Sequence, residues 1–168
     1  METIAVRLEF PPIGTVRYNE ADIRNVNPDE INAIRGLAFG RDLSLFDGTL
    51  AENITMGRPG IKTEEIVWAL QFVQLDNDIE HLPKGLNTPV HIGAREFAPS
   101  QIVRILLARA IVMRPKLLIL DGALHEIPNT IRKKILEDLC SEDEPWTVVI
   151  VTTDSHITTY VQHCFSLV

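Results

Sequence analysis

The chain has 168 residues, of which 45% are hydrophobic and 23% are charged, and its formal net charge is −7. This composition is typical of a globular domain with a sizeable core, and it excludes a disordered chain. The acidic balance argues against nucleic acid as a partner, because proteins that bind nucleic acids present a basic face to the phosphates.

Cysteine content and hydropathy bear on the compartment. Cys140 and Cys164 are too few for a disulfide framework and are typical of a reducing compartment. The sequence shows neither a signal peptide nor an apolar run of about 18 residues, so direct membrane insertion is not expected. We therefore expect a cytoplasmic location, with any attachment to the inner face of a membrane made through a transporter partner.

Short elements separated by turns are predicted for the first quarter of the chain. Large apolar residues recur at every second position across residues 3–10, which predicts a strand. Pro28 at a first helical position, with Asn27 as N-cap, predicts a short helix that ends near Arg35. Residues 36–39 then have the composition of a strand.

The middle of the chain has the apolar spacing of helices. Three short helices are predicted: residues 49–54, a helix capped by Thr63, and residues 76–82. Ser100 is the predicted N-cap of a longer helix that reaches about Met113 and should be buried, since it is apolar on most faces. Arg104 and Arg109 interrupt it, and we expect them to pair with carboxylates or to face solvent.

Strands and helices alternate in the last third of the chain. Residues 117–120 are a continuous apolar run, as found in strands that are covered on both faces of a parallel sheet, and residues 147–151 are a second, β-branched run that predicts a strand. Pro128 at a first helical position predicts a helix to about Cys140. A last short helix at residues 157–163 and a strand at 164–168 are also expected. The alternation predicts an α/β fold with a mostly parallel sheet.

Several segments in order carry a family resemblance. They are residues 45–54, residues 82–93, the loop Phe97-Ala98-Pro99-Ser100-Gln101 with the helix after it, and the strand that ends at Asp121. Together they resemble the nucleotide-binding (ATPase) domain of ABC exporters, with residues 97–101 in the place of the signature loop and Asp121 as the Walker B aspartate. The resemblance implies a truncated P-loop-NTPase-like α/β fold, a single domain over residues 1–168, with an inserted helical subdomain at about 49–105.

Against this family pattern, the phosphate-binding loop is missing. No G-x-x-x-x-G-K-[ST] sequence, whose backbone N–H groups and lysine hold phosphate, occurs in the chain. The resemblance places the flanks of that loop side by side, joined between Val6 and Arg7. The resulting domain is degenerate and lacks the Walker A loop.

Other positions also depart from the family pattern. Gly122 stands where the catalytic glutamate is expected, Thr153 in the place of the switch histidine, and Pro128 in the place of the D-loop aspartate. Arg41 replaces the Q-loop glutamine, and the signature loop keeps only Gln101. Because phosphoryl transfer depends on positioned charges, these losses predict a pseudo-ATPase with no catalytic residue assigned.

A few residues stay candidates for ligand contact. Ser100, Gln101 and Arg41 are candidates for touching a nucleotide. Asp121 is either a residual metal ligand or a residue that caps the end of its strand, and the second interpretation is favoured. No cofactor is expected, and Mg-ATP is the alternative ligand.

Three functions remain open from the sequence. The first is a non-hydrolysing domain that contacts an intact ABC ATPase domain or a transporter's membrane domain. The second is a half-site for ATP hydrolysis completed by another chain, and the third is a fragment of an ordinary exporter domain. A homo-oligomer is expected, because loss of the helix behind the P-loop strand should uncover one face of the sheet.

Overall fold

The structure is a computed structural model that describes residues 14–18, 20–39 and 44–166. The strand predicted at residues 3–10, the junction between Val6 and Arg7, and the candidate Arg41 lie outside the described residues. Within those residues, no helix has the length and apolar character needed to cross a bilayer.

The described residues form both helices and strands, and single strands alternate with single α-helices only from residue 89 onward. The helices are α1 (Pro28–Ile34), α2 (Leu50–Thr55), α3 (Thr63–Phe72), α4 (Asp76–Glu80), α5 (Pro99–Ile111) and α6 (Asn129–Leu139). The strands are β1 (Arg17–Tyr18), β2 (Ala21–Asp22), β3 (Arg35–Phe39), β4 (Gly48–Thr49), β5 (Pro89–Val90), β6 (Leu117–Asp121) and β7 (Thr147–Val151). Single 3-10 turns cover Ile23–Asn25, Gly85–Asn87 and Ser155–Thr159.

A parallel sheet with the strand order β3-β6-β7 forms the centre of the fold. Its register pairs Leu37 with Ile119 and Ile119 with Val149. The predicted α/β class with a parallel sheet is confirmed. The pairs β1-β2 and β4-β5 are antiparallel and two residues long.

Helix α5 packs against the face of this sheet on which the even-numbered residues of the three strands lie, such as Gly36 and Leu118. A Cβ added to Gly36 in β3 would lie 2.3 Å from the carbonyl oxygen of Ala110, so only glycine permits this approach. Every residue of α5 from Val103 to Ile111 is buried, which confirms the predicted buried helix. Because the end of α5 lies beside the start of β3, the first turn of α5 points toward the carboxyl end of the strands.

The start of α5 differs from the prediction. Ala98, and not Ser100, occupies the N-cap position, and Pro99 is the first helical residue. The fixed φ of proline suits that position. The side chain of Gln101 accepts the Ala98 N–H at 2.8 Å, which replaces the missing capping side chain.

Two further helix starts are corrected in the same way. Lys62 precedes α3 in place of Thr63, and Glu65 accepts the Lys62 N–H at 2.7 Å. Pro128 lies at the N-cap of α6 in an extended conformation rather than inside the helix. In contrast, Asn27 caps α1 as predicted and accepts the Asp29 N–H at 3.0 Å.

The last part of the chain is less regular than expected. The helix predicted at residues 157–163 is a 3-10 turn over Ser155–Thr159, whose cap Asp154 accepts the His156 N–H at 3.0 Å. Residues 164–166 form no strand, and residues 167 and 168 lie outside the described part. An aspartate that bonds its own backbone two residues on favours a turn over a longer helix.

Glu144, in the turn before β7, gives a prediction for the pH dependence of stability. Its Oε2 atom is buried without a hydrogen-bond partner in the described structure. Desolvation raises the pKa of Glu144, Arg114 opposes this, and Asp138 and Asp143 add to it. The folded state therefore binds this proton more tightly than the unfolded state, and ionised Glu144 costs stability above the raised pKa.

Glu144→Gln is accordingly expected to increase the free energy of unfolding at pH 7. Solvent screening limits the gain to a few tenths of a kcal/mol, and the gain should shrink as the pH falls toward the ordinary glutamate pKa. Urea unfolding at pH 5 and pH 7 measures both effects, with the exposed Glu142→Gln as control. Equal stability of the Glu144 variant and the parent at pH 7 would contradict the prediction.

Candidate nucleotide-contact site

The carboxyl end of the parallel sheet gathers one group of predicted site residues. Asp121 ends β6 and is paired in register with Val151 at the end of β7. The N–H of Gly122 donates to the Val151 carbonyl at 3.1 Å, so Gly122 and Thr153 follow two adjacent strand ends. Ligands of open α/β sheets bind at this edge.

The chemistry available at this edge is limited. Gly122 has no side chain, and its φ of +62° suits glycine. Thr153 carries a hydroxyl and no titratable group. His125 also lies here, with its Nε2 atom 3.4 Å from the Oγ1 of Thr152, although its sequence spacing did not mark it as a site residue. The described residues contain no group of three or more side chains that could hold a metal ion.

The loop at residues 97–101 forms the second group. Three of its backbone N–H groups donate within the chain: Phe97 to the Ala94 carbonyl (3.0 Å), Ala98 to Gln101 Oε1 (2.8 Å) and Gln101 to the Ala98 carbonyl (2.9 Å). Pro99 has no N–H. Among the described hydrogen bonds, Ser100 therefore keeps the one unbonded N–H of this loop, and its hydroxyl is also unbonded.

Both the amide oxygen and the amide nitrogen of the Gln101 side chain have hydrogen-bond partners within the chain. Its Oε1 accepts from Ala98, and its Nε2 donates to Asp78 Oδ1 at 3.0 Å. The other carboxylate oxygen of Asp78 lies 3.4 Å from Arg104 Nη2, which confirms the predicted carboxylate pairing of that arginine. Arg104 is 4% exposed and also donates to the carbonyls of Ser100 and Gln74. The loop is thus fixed to helix α4.

The two groups do not meet directly. None of the hydrogen bonds or ion pairs of the described residues joins Ser100 or Gln101 to Asp121, Gly122 or Thr153. The site residues predicted at the sheet edge and in the loop therefore form two separate sets within this chain, and the roles predicted for them stay predictions.

Arg109 departs from the expected carboxylate pairing or solvent exposure. It is 7% exposed, and its donors bond neutral acceptors: the Asn53 carbonyl (2.7 Å), Asn53 Oδ1 (3.2 Å) and the Ser44 carbonyl (3.3 Å). Burial, and then the charge of Arg58, lower the pKa of Arg109 to about 10. The guanidinium ties α2 and the preceding loop to α5, which is a structural rather than a catalytic role.

Asn53 is a second structural residue that the sequence reading missed. It is fully buried, accepts the Phe46 N–H at 3.0 Å and donates to the carbonyls of Phe46 (2.9 Å) and Thr49 (3.1 Å). Asn53 lies three residues after Leu50 and next to Ile54, which are both buried, and this spacing could have indicated that Asn53 is buried too. A polar residue on an apolar helix face needs internal partners.

The fold, with a parallel sheet and helices inserted between β3 and β6, is shared with ABC exporters. A solved bacterial Atm1-family ABC exporter with ATP bound has the same fold, with a TM-score of 0.77 and 25% sequence identity. The match covers 88% of this chain and 26% of that chain.

Curated relatives agree with the structural comparison. One is a multidrug efflux ATP-binding/permease protein of Mycobacterium bovis, 32% identical over 152 residues. Another is the multidrug resistance-like ATP-binding protein MdlA of Buchnera aphidicola, 37% identical over 140 residues. The chain is homologous to the ATP-binding/permease proteins of ABC exporters.

The matched region is a small part of each relative. The matches cover 90% and 83% of this chain, but only 13% and 24% of the two relatives. No protein-family model matches the chain.

Proposed function

We propose that this chain is a degenerate ABC-type domain that does not hydrolyse ATP by itself and acts through contact with a second protein. The proposed partner is an intact ABC ATPase domain or the membrane domain of a transporter. Such a partner would hold the chain at the inner face of a membrane. Neither a cofactor nor a metal is proposed as part of the resting protein.

The hydrogen bonding of the loop at residues 97–101 carries this proposal. A phosphate site built from backbone needs several unpaired N–H groups directed at one point. In this loop Ser100 alone offers one among the described hydrogen bonds, while Gln101 is held by Asp78 and by its own loop. The loop is therefore poorly equipped to bind phosphate, although it keeps its place at the start of α5.

The sheet edge supports the same proposal. In-line attack of water on a phosphate needs a positioned base and compensation of the developing negative charge. Gly122 supplies no base, and the Walker A lysine has no counterpart in the sequence. Among the described residues, Asp121 belongs to no group of three or more metal-ligating side chains.

Calorimetric titration of the whole chain with Mg-ATP tests this function. We expect no binding tighter than about 100 µM, because too few phosphate donors remain. An intact exporter ATPase domain measured in the same buffer serves as the positive control. A dissociation constant well below about 100 µM, lost in Asp121→Ala, would refute the proposal.

A second candidate function is a half-site for ATP hydrolysis that another chain completes. Ser100 favours it, since its N–H and hydroxyl are unbonded among the described residues in the first turn of α5, where the helix dipole is positive. Mixing with an intact ATPase domain should then raise turnover. The rise should be lost in Ser100→Ala and in Asp121→Ala and kept in the control Ser166→Ala, which replaces an exposed serine outside both groups. Unchanged turnover on mixing removes this candidate.

One exposed apolar surface of the sheet is a candidate contact between copies in the expected homo-oligomer. Successive right-handed crossovers place α5 and α6 on one face of the sheet. On the opposite face, at strand β7, Val149 is 44% exposed and Val151 is 37% exposed. We propose that this surface is covered by a second copy of the chain.

Light scattering with the Val149→Lys and Val151→Lys double variant tests this surface. We expect an oligomer for the parent chain and a monomer for the variant, because lysines placed in an apolar contact are costly to bury. Val67→Lys, on the exposed side of α3, is the matched control. A monomeric parent at high concentration would contradict the second copy as the occupant.

A further inference from the structure

A cavity of about 290 Å³ lies between the first turns of α6 and the 3-10 turn Ser155–Thr159. Residues 97–101, Asp121, Gly122 and Thr153 do not line it, although the lining residue Asp154 follows Thr153 in the chain. Its size is at the lower end of the range for small-ligand pockets. Although the chain has a net charge of −7, this cavity is lined by two cationic side chains, Arg132 and Lys133, and by one carboxylate, that of Asp154.

The carboxylate of Asp154, which lines the cavity, already has partners within the chain. Asp154 forms an ion pair with Arg132 at 3.2 Å, and each side chain is 17% exposed. Asp154 also accepts the backbone N–H of His156 at 3.0 Å. Arg132 is further held by Asn129 Oδ1 at 2.6 Å. The Asp154 carboxylate is therefore occupied by Arg132 and by the His156 N–H, and it bonds none of the Lys133 ammonium, the His156 ring and the Tyr160 hydroxyl.

Three donors from two elements remain for a ligand. Lys133 contacts Glu137 at 3.8 Å, but both side chains are more than half exposed, and such a surface pair contributes little. The ring of His156 and the hydroxyl of the half-buried Tyr160 make no hydrogen bond with the described residues. All three line the cavity, beside the buried Leu136.

We propose that this cavity is a binding site for a phosphate group, either free or carried by a small organic ester. A dianionic oxyanion accepts several hydrogen bonds from different directions, and Lys133, His156 and Tyr160 supply them from two sides. Charge-assisted hydrogen bonds of this kind are about twice as strong as neutral ones. Asn129 and Lys133 also lie in the first turns of the 11-residue α6, where the helix dipole favours an anion.

NMR titration of the whole chain with inorganic phosphate and with phenyl phosphate tests the site. We expect saturable shifts confined to residues 129–136 and 154–160, and tighter binding of phenyl phosphate, because Leu136 can contact the ring. Tyr160→Phe and Lys133→Gln should each weaken binding by about threefold or more, since each removes one donor. Lys134→Gln, exposed on the same helix, should leave the affinity unchanged.

The outcomes are distinct from those of the nucleotide test. Ser100→Ala should not alter phosphate binding, whichever way the Mg-ATP titration ends. Preference for inorganic phosphate over phenyl phosphate would assign a free-phosphate site. The absence of saturable shifts up to about 10 mM phosphate, or equal affinity of Tyr160→Phe, Lys133→Gln and the parent, would overturn the proposal.

Discussion

Replacing Asn53 by alanine is expected to lower the free energy of unfolding by about 3 kcal/mol. The substitution leaves the Phe46 N–H, two carbonyl groups and part of the Arg109 guanidinium without their partner in a partly to fully buried site. Each unsatisfied buried group costs about 1–3 kcal/mol, and relaxation recovers part of the sum. Urea unfolding followed by circular dichroism measures the change.

Asn77→Ala is the matched control for this substitution. Asn77 is exposed on α4, and its side chain forms no hydrogen bond with the described residues. It should change stability by less than about 0.5 kcal/mol. A loss below about 1 kcal/mol for Asn53→Ala would show that the loop before α2 is not anchored by this residue.

Asp78→Ala should be the second most damaging substitution, with a loss of about 2 kcal/mol. It leaves the Arg104 guanidinium, 4% exposed, without a carboxylate and frees the Gln101 amide. Burial lowers the pKa of Arg104, and Asp78 opposes that effect. The side chain of Asp78 is 38% exposed, so the loss stays below that of a fully buried ion pair.

A double-mutant cycle isolates the contribution of this pair. Asp78→Ala and Arg104→Met in the same chain should be less destabilising than the two single losses added, by about 1 kcal/mol or more. Glu80→Ala, exposed at the end of α4, is the control for removal of a nearby acidic residue. Additivity within about 0.3 kcal/mol would mean that the two side chains act independently.

The elements of the sheet were predictable because their signal is local. The apolar runs in β6 and β7 fall where the structure has strands, and Asn27 caps its helix as expected. Helix starts were less predictable. At Ala98 and Lys62 a side chain three residues later makes the capping bond, so a capping residue type is not required.

The hydrogen bonds of the candidate residues were not predictable from the sequence, and the roles assigned to these residues stay predictions. Gln101 was expected to be available to a ligand, but its amide bonds Asp78, 23 residues earlier in the chain. Arg109 was expected to have a carboxylate partner or to face solvent, but it donates to groups that lie more than 50 residues before it. No pattern of local spacing contains either contact.

The sequence by itself determined the α/β class of the fold. Strands β6 and β7 follow from apolar runs, and the absence of a side chain at Gly122 and of an N–H at Pro99 is a property of those residues in any structure. The tertiary structure alone decided which remaining groups are free. Pairing between Gln101 and Asp78, and the gathering of Lys133 and Tyr160 in one cavity, depend on how distant segments pack.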